Sequence, residues 1–322
     1  MSDTLPRPPF DPEFAPMLDA LAARGGFTVT TETLPRMRAL DVTEAELDER
    51  LRTRGLERRT VLVPGHDGDP IALAIIQRIG RSGPAACFYT IHGGGMMFGH
   101  YLGNLDSYDD WLLRHDVVLI SVDYRLAPEH PDPYPVEDCY AGLVWTADHA
   151  DELGIDPERI VLVGQSAGGG LAAGTALLAR DRRGPAVWAQ ILVSPMLDDR
   201  DDTVSTRQFD GVGVADRSLT RFGWSSYLGD RRGGDAVSIY AAPGRAVDLA
   251  GLPQTYVDCG STEVFRDETV AFASTLWASG VPAELHVWPG AFHGFTTMAP
   301  DATLSRRAVA ALGDWTARLL LS

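Results

Sequence analysis

The sequence predicts an α/β fold: a mostly parallel, eight-stranded sheet with helices on both faces and a helical cap. Three observations carry this expectation. Short apolar, β-branched runs alternate with helical stretches over most of the 322 residues. The run at 159–163 passes through Gly164-Gln165-Ser166-Ala167-Gly168 straight into a helix of small residues. The alternation stops between 194 and about 250, as it would at an insertion between two core strands.

In chain order, Phe14, Met17, Leu18 and Leu21 fall at i, i+3, i+4 and i+7, a short amphipathic helix. A second helical stretch covers about 43–54. Strands are expected at 60–63, 71–79, 86–91 and 117–122, a helix at 136–152, a strand at 159–163, a helix at 167–180 and a strand at 187–193. Beyond the insertion come a strand at 254–259, a helix at 268–278, a strand at 283–287 and a final helix at about 304–320. Buried strands alternating with helices form a mostly parallel sheet covered on both sides. The insertion begins with Asp198, Asp199, Asp201 and Asp202, read as a solvated loop and not a metal site. It then carries Phe209, Leu219, Phe222, Trp224 and Tyr227 in a helix-like context, a natural lid above the carboxyl ends of the strands.

Composition narrows the chemistry. All 28 basic residues are arginine, so Schiff-base and P-loop chemistry, which need a lysine amine, are excluded. A net charge of −16 argues against nucleic acid and against anionic membrane surfaces. Cys87, Cys139 and Cys259 are odd in number and far apart, with no zinc-type spacing, and read as reduced, mostly buried thiols. The first residues show no basic stretch followed by an apolar run, and no apolar run is long enough to span a bilayer. A soluble, cytoplasmic protein is expected.

The chemistry lies in an ordered constellation. A serine on a sharp strand–turn–helix elbow needs flanking glycines, because side chains there would clash, and the elbow aims a helix N-terminus at Ser166. Upstream, His92-Gly93-Gly94-Gly95 follows a strand. Three glycines let that backbone turn its N–H groups into a cavity, where with the N–H of Ala167 they can hold an oxyanion. The base must come late in the chain. His293 sits in a glycine-flanked loop after the last strand, whereas His286 lies inside that strand and reads as structural. His66, His115 and His149 read as ordinary polar residues, and His100 and His130 as locally hydrogen-bonded ones that could touch the site. The acid should lie between serine and base. Glu263, four residues past the strand at 254–259, is the choice, with Asp267 and Asp258 as alternatives.

These residues resemble the hormone-sensitive-lipase-like group (bacterial family IV esterases) of the α/β-hydrolase fold. The resemblance runs from about 86 to 295 and rests on His92-Gly-Gly-Gly95, Asp123-Tyr-Arg-Leu-Ala-Pro-Glu-His-Pro131, Gly164-Gln-Ser-Ala-Gly-Gly169, Arg266-Asp-Glu268 and His293-Gly-Phe295. It implies one domain over 1–322 with a two-piece cap, about 1–54 and about 197–250. It implies Ser166 as nucleophile, His293 as base, and oxyanion donors on Ala167 and on Gly93, Gly94 and Gly95, chiefly the last two. Residues 124–135 would support the glycine loop, with Ala127-Pro128 and Asp132-Pro133 as candidate cis peptides. Three positions depart from the family pattern: Gln165 and Glu263 stand where aspartate is usual, and Met96-Met97 precede Phe98 where a bulky aromatic often follows the loop.

The expectation is a serine carboxylesterase for short- to medium-chain esters, needing neither metal nor organic cofactor. Met96, Met97, Phe98, Phe209, Phe222, Trp224 and Tyr227 are candidates for the substrate pocket, with core packing the alternative for each. The partner is a small-molecule ester, and the resemblance hints at a homodimer through a sheet edge. An amidase, thioesterase or acyltransferase on the same scaffold stays open, as does a non-catalytic small-molecule receptor, although receptors of this kind resemble esterases that have lost the histidine.

Overall fold

Strands that are apolar at nearly every position need cover on both faces; β3 (Ala85–Ile91) and residues 160–164 of β5 (Ile155–Gln165) are of this kind. The computed structural model describes residues 5–26, 29–39 and 43–321. Of the expected cap segment at 1–54, residues 1–4, 27, 28 and 40–42 lie outside the described residues, as does residue 322 of the expected domain.

Eight strands form one sheet in the order β1-β2-β4-β3-β5-β6-β7-β8. Besides β3 and β5 these are β1 (Leu56–Pro64), β2 (Pro70–Arg78), β4 (Val118–Asp123), β6 (Ala189–Val193), β7 (Gln254–Gly260) and β8 (Ala283–Trp288). Only β2 runs against the rest: it pairs antiparallel with β1 and β4, and every other pairing is parallel. All eight predicted strands are present. β1 is longer than its apolar core suggests, because Glu57, Arg58 and Arg59 pair with β2 although they carry charge.

Alternate residues point to opposite faces, and two cores result. Cys87, Tyr89, Ile91, Ile160 and Leu162 face one side. There they meet α5 (Tyr134–Asp148), α7 (Ala167–Arg182) and α10 (Arg266–Ala278) through Leu143, Leu171 and Phe272. Ala86, Phe88, Val161 and Val163 face the other side. They meet α3 (Glu44–Thr53), α4 (Asp109–His115) and α12 (Thr303–Leu321) through Leu51, Leu112 and Trp315. The helix expected at 136–152 is α5 followed by the short α6 (Ala150–Leu153), and α4 was not anticipated. α3 begins with a capping box between Thr43 and Glu46, which satisfies two amides of its first turn.

The remaining elements sit around the carboxyl ends of the strands: α1 (Ala15–Ala23), α2 (Leu34–Met37), α8 (Val204–Gln208), α9 (Arg217–Leu228) and α11 (Phe295–Met298). The N-terminal segment is pinned beside the His293 loop, where Phe14 packs edge-on against Phe292 at 5.0 Å and Asp11 N–H donates to Gly290 O at 3.0 Å. Ala127-Pro128 and Asp132-Pro133 are both cis. Among the described residues no helix is long and apolar enough to cross a membrane.

One expectation is corrected. The acidic run in the insertion is not a solvated loop: Asp198, Asp199 and Asp201 are buried, and only Asp202 is exposed. Each buried carboxylate is held by arginine. Asp199 takes Nε and Nη2 of Arg245 at 2.5 and 2.9 Å and Gly233 N–H at 2.6 Å. Asp201 takes Arg217 Nε at 2.9 Å and Arg221, and Asp198 takes Arg200. A buried charge persists only when paired and hydrogen-bonded, and local sequence does not show that arginines at 217, 221 and 245 will converge on it. No metal-binding group of acidic, histidine or cysteine side chains occurs among the described residues.

Candidate active site

Ser166 ends β5 in a strained conformation, φ 58° and ψ −124°, which a non-glycine residue keeps only when its surroundings over-determine it. The surroundings are close backbone approaches. A Cβ on Gly164 would lie 2.1 Å from Gly168 O, and one on Gly168 would lie 2.1 Å from Ile91 O. Ser166 N–H donates to Val193 O at 2.9 Å, and its carbonyl accepts from Gly169 at 3.0 Å and Met196 at 2.9 Å. The hydroxyl therefore stands at the N-terminus of α7, above the sheet.

His293 follows β8 in the loop before α11. Its Nε2 lies 2.9 Å from Ser166 Oγ and its Nδ1 lies 3.3 Å from Glu263 Oε1. The other oxygen of Glu263 accepts from Gly260 N–H at 2.9 Å and from Ser194 Oγ at 3.0 Å. The Phe265 ring stands edge-on to the imidazole at 5.1 Å. A serine, an imidazole and a carboxylate thus form one hydrogen-bonded chain. With Nδ1–H directed at a carboxylate, Nε2 is the lone-pair nitrogen facing the hydroxyl.

The two alternative acids are engaged elsewhere. Asp267 accepts Ser205 N–H at 2.7 Å and Arg266 Nε at 2.7 Å, and Arg266 holds it below the usual carboxylate range. Asp258 accepts from Trp288 Nε1 at 3.0 Å and from the Tyr256 hydroxyl at 3.4 Å. Burial, and then the charge of Glu263, push its carboxyl up to about 6. Its folded value lies above the ordinary 3.9 or so of an unfolded aspartate, so folding penalises the charged form. The stability this group allows is fully present below about pH 4 and is lost as pH rises through about 6. Asp258→Asn should therefore raise the melting temperature at pH 8, by on the order of 2 kcal/mol in stability, and raise it less at pH 5. Thermal denaturation at both pH values checks this; a pH-independent difference would contradict it.

The glycine loop approaches the elbow from β3. Gly94 has φ +117° and Gly95 φ +59°, and their N–H groups, like that of Ala167, have no acceptor within the protein among the described residues. A Cβ on Gly93 would lie 2.9 Å from Gln165 O and 3.3 Å from Ser166 Cβ, so this glycine lets the loop lie against the serine. His92 stacks on Tyr124 at 4.3 Å, its Nδ1 sits 2.8 Å from Gly93 O, and burial pushes its imidazole down to about 4. It is neutral and braces the loop.

A cavity of about 370 Å³ opens over Ser166 and His293, floored by the glycine loop and Gln165. Of the seven predicted pocket residues only Phe98 lines it. Met96 and Met97 are fully buried beneath the loop, and Phe209 is buried against Phe10. Trp224 and Tyr227 are wholly buried on the core side of α9, and half-buried Phe222 is also off the cavity. The walls come instead from residues outside that set: Met37 and Ala39 at and just past the end of α2, Val214 and Ala215 just before α9, Leu219 and Thr220 in its first turn, Met196 and Phe265, and Thr297 and Met298 of α11.

His100 and Asn104 also line the cavity, and His100 Nδ1 accepts Leu102 N–H at 3.1 Å. His92 lines it too, and the remaining five histidines lie off it. His286 bonds Glu284 and stacks on Trp288, His149 bonds Trp145 O, His66 and His130 pack against Tyr134, and His115 ends α4 exposed.

A family model for the alpha/beta hydrolase fold matches residues 88–297. Carboxylesterase NlhH of Mycobacterium tuberculosis is 33% identical over 306 residues, 92% of each chain. Esterase LipI of the same organism is 36% identical over 221 residues, 66% of this chain and 67% of that one. Among solved structures, a bacterial heroin esterase superposes with a TM-score of 0.86 at 38% identity, covering 97% of this chain and 98% of the other. Esterase LipW from Mycobacterium marinum gives 0.81 at 33% identity, covering 98% and 99%.

Proposed function

Because the chain belongs to the α/β-hydrolase fold family, as a carboxylic ester hydrolase of the hormone-sensitive-lipase-like group, we propose that it works through a Ser166–His293–Glu263 triad and an acyl-enzyme on short- to medium-chain esters. The observation that carries this reading is the hydrogen-bonded chain from Ser166 Oγ through both ring nitrogens of His293 to Glu263.

His293 Nε2 takes the Ser166 proton as Oγ attacks the ester carbonyl. Glu263 holds the ring and stabilises the imidazolium that forms. The carbonyl oxygen, now an oxyanion, rests on the amides of Gly94, Gly95 and Ala167, with Gly93 shaping the approach. The alcohol leaves with the proton from His293, and water releases the acyl group by the same steps. Every group required is a hydroxyl, an imidazole, a carboxylate or a backbone amide of this chain. A cap drawn from about 1–54 and about 197–250 closes over the ester, with α3 of the first piece packed on the sheet instead; the support is that Met37 and Ala39 from the first and Val214, Leu219 and Thr220 from the second line the cavity. A largely apolar cavity of about 370 Å³ suits modest acyl and alcohol groups. The buried, unpaired thiols suit a reducing, cytoplasmic setting, and the partly exposed edge strands β1 and β8 are the two edges on which a homodimer would form.

A fluorophosphonate probe tests the reading: folded protein that is not labelled at Ser166 would sink it. Rates across p-nitrophenyl esters of rising chain length, with anilides and thioesters alongside, define the acyl donor. Glu263→Ala is expected to lower kcat at least about a hundredfold. It should also cost about 1–3 kcal/mol of stability, since Gly260 N–H and Ser194 Oγ lose a buried acceptor. Near wild-type turnover in that variant would refute the choice of acid and direct attention to Asp267.

A further inference from the structure

Arg38 joins three segments that lie far apart in sequence. It stands just after α2, between the cavity residues Met37 and Ala39. Its Nε–H donates to Met97 O at 2.7 Å, and Nη2–H donates to Ala127 O at 2.8 Å. Its outer edge takes both oxygens of Glu129, at 2.9 and 2.8 Å. Met97 belongs to the glycine loop, and Ala127 to the cis-proline loop behind it. Those loops are also tied to each other, by Ala127 N–H to Met96 O at 2.9 Å. The loop closes on itself through Met97 N–H and Phe98 N–H, both to Gly94 O, at 2.9 and 3.0 Å. A displacement of Met97 therefore moves the turn that presents the Gly94 and Gly95 amides.

We infer that Arg38 is a positioning residue that couples the N-terminal wall of the cavity to the oxyanion loop, holding Met37 and Ala39 over the ester while fixing the Gly94 and Gly95 amides. The inference rests on the oxyanion reading above. The ion pair alone cannot carry this role: the Glu129 side chain is 57% exposed, and exposed pairs contribute little. The weight falls on the two carbonyls, which belong to buried residues. A planar fork with donors on separate edges can reach both while engaging a carboxylate; a lysine ammonium cannot match that geometry. Arg38 holds the Glu129 carboxyl down at about 2, so this partner stays charged well below neutral pH.

The test compares full-length wild type, Arg38→Ala, Arg38→Lys and Glu129→Gln on p-nitrophenyl acetate and hexanoate. Arg38→Ala should lower kcat about tenfold on both esters, because the loop is misplaced in the transition state. It should raise KM more for hexanoate than for acetate, because the wall of Met37 and Ala39 is released. Millimolar guanidinium ion should restore part of the lost kcat, which a fold merely weakened by the substitution would not show. Arg38→Lys should resemble Arg38→Ala, and carries the same comparison if the alanine variant does not fold. Glu129→Gln should stay within about twofold of wild type. Wild-type kcat and KM in Arg38→Ala would overturn the inference, as would Glu129→Gln being as damaging as Arg38→Ala. Fluorophosphonate labelling of wild-type Ser166 is the control: its failure would count against the triad reading, whereas normal labelling with an unaffected Arg38→Ala would count against Arg38 alone.

Discussion

Ser166→Ala is expected to lower kcat by at least about a thousandfold while leaving the protein folded. The hydroxyl is the only group at its position that can form the acyl-enzyme, and His293 Nε2, 2.9 Å away, then has no proton to take. The remaining rate would come from water held in a site that still presents oxyanion donors, a residual of about 10³–10⁴ over the uncatalysed reaction in other triads. The backbone should not relax. Its φ of 58° is imposed by Gly164 and Gly168 packing against neighbouring backbone, not by the hydroxyl, and alanine has to adopt it too. KM should therefore change little and the melting temperature by only a few degrees. Steady-state kinetics, circular dichroism and thermal denaturation on one preparation check all three. A variant retaining more than about a tenth of wild-type kcat would mean that another nucleophile, or directly activated water, does the chemistry.

What the sequence showed well was whatever depends on local backbone chemistry. The eight strands were legible because buried strands need unbroken apolar runs, and the elbow because glycines must flank a turn that tight. α4 was missed because Asp109–His115 is under two turns, with only Trp111 and Leu112 buried, too short for a helical period to register. The pocket walls were misread for a different reason. The buried residues of α9, Thr220, Gly223, Trp224, Tyr227 and Leu228, share one face; only its N-terminal end, Leu219 and Thr220, reaches the cavity, whereas Trp224 and Tyr227 further along pack into the core. Large rings near a site attract attention in a sequence, but close packing draws them into the core, where they bury the most area. A cavity survives where small and medium side chains leave it open. Nor could local sequence show the convergence of Met37, Leu219 and Met298, which depends on how three distant segments meet over one sheet. The buried acidic run and the fork of Arg38 were hidden likewise, since each is defined by partners many residues away.

Gly94→Ala is the second large effect expected, and it separates oxyanion binding from the triad. Gly94 has φ +117°, a value beyond the left-handed region that other residues occasionally visit. A Cβ there would lie 2.1 Å from Phe98 O and 2.6 Å from Phe98 C. Those are backbone atoms, so the clash cannot be relieved by turning a side chain, and the loop itself must shift. Ser166, His293 and Glu263 are untouched, so the nucleophile can still be activated, but the Gly94 and Gly95 amides no longer meet the developing charge. Losing one such donor in other enzymes costs about 10²–10³ in kcat, and a fall of that size with little change in KM is expected here, because the oxyanion exists only in the transition state. Gly95→Ala is the internal comparison. Its φ of +59° is accessible to alanine at a cost of about 1–2 kcal/mol, and its Cβ would meet only the terminal methyl of Met97, at 3.4 Å. Its kcat should stay within about tenfold of wild type. Equal, small losses in both variants would show that the oxyanion is held by Ala167 and by donors outside the glycine loop.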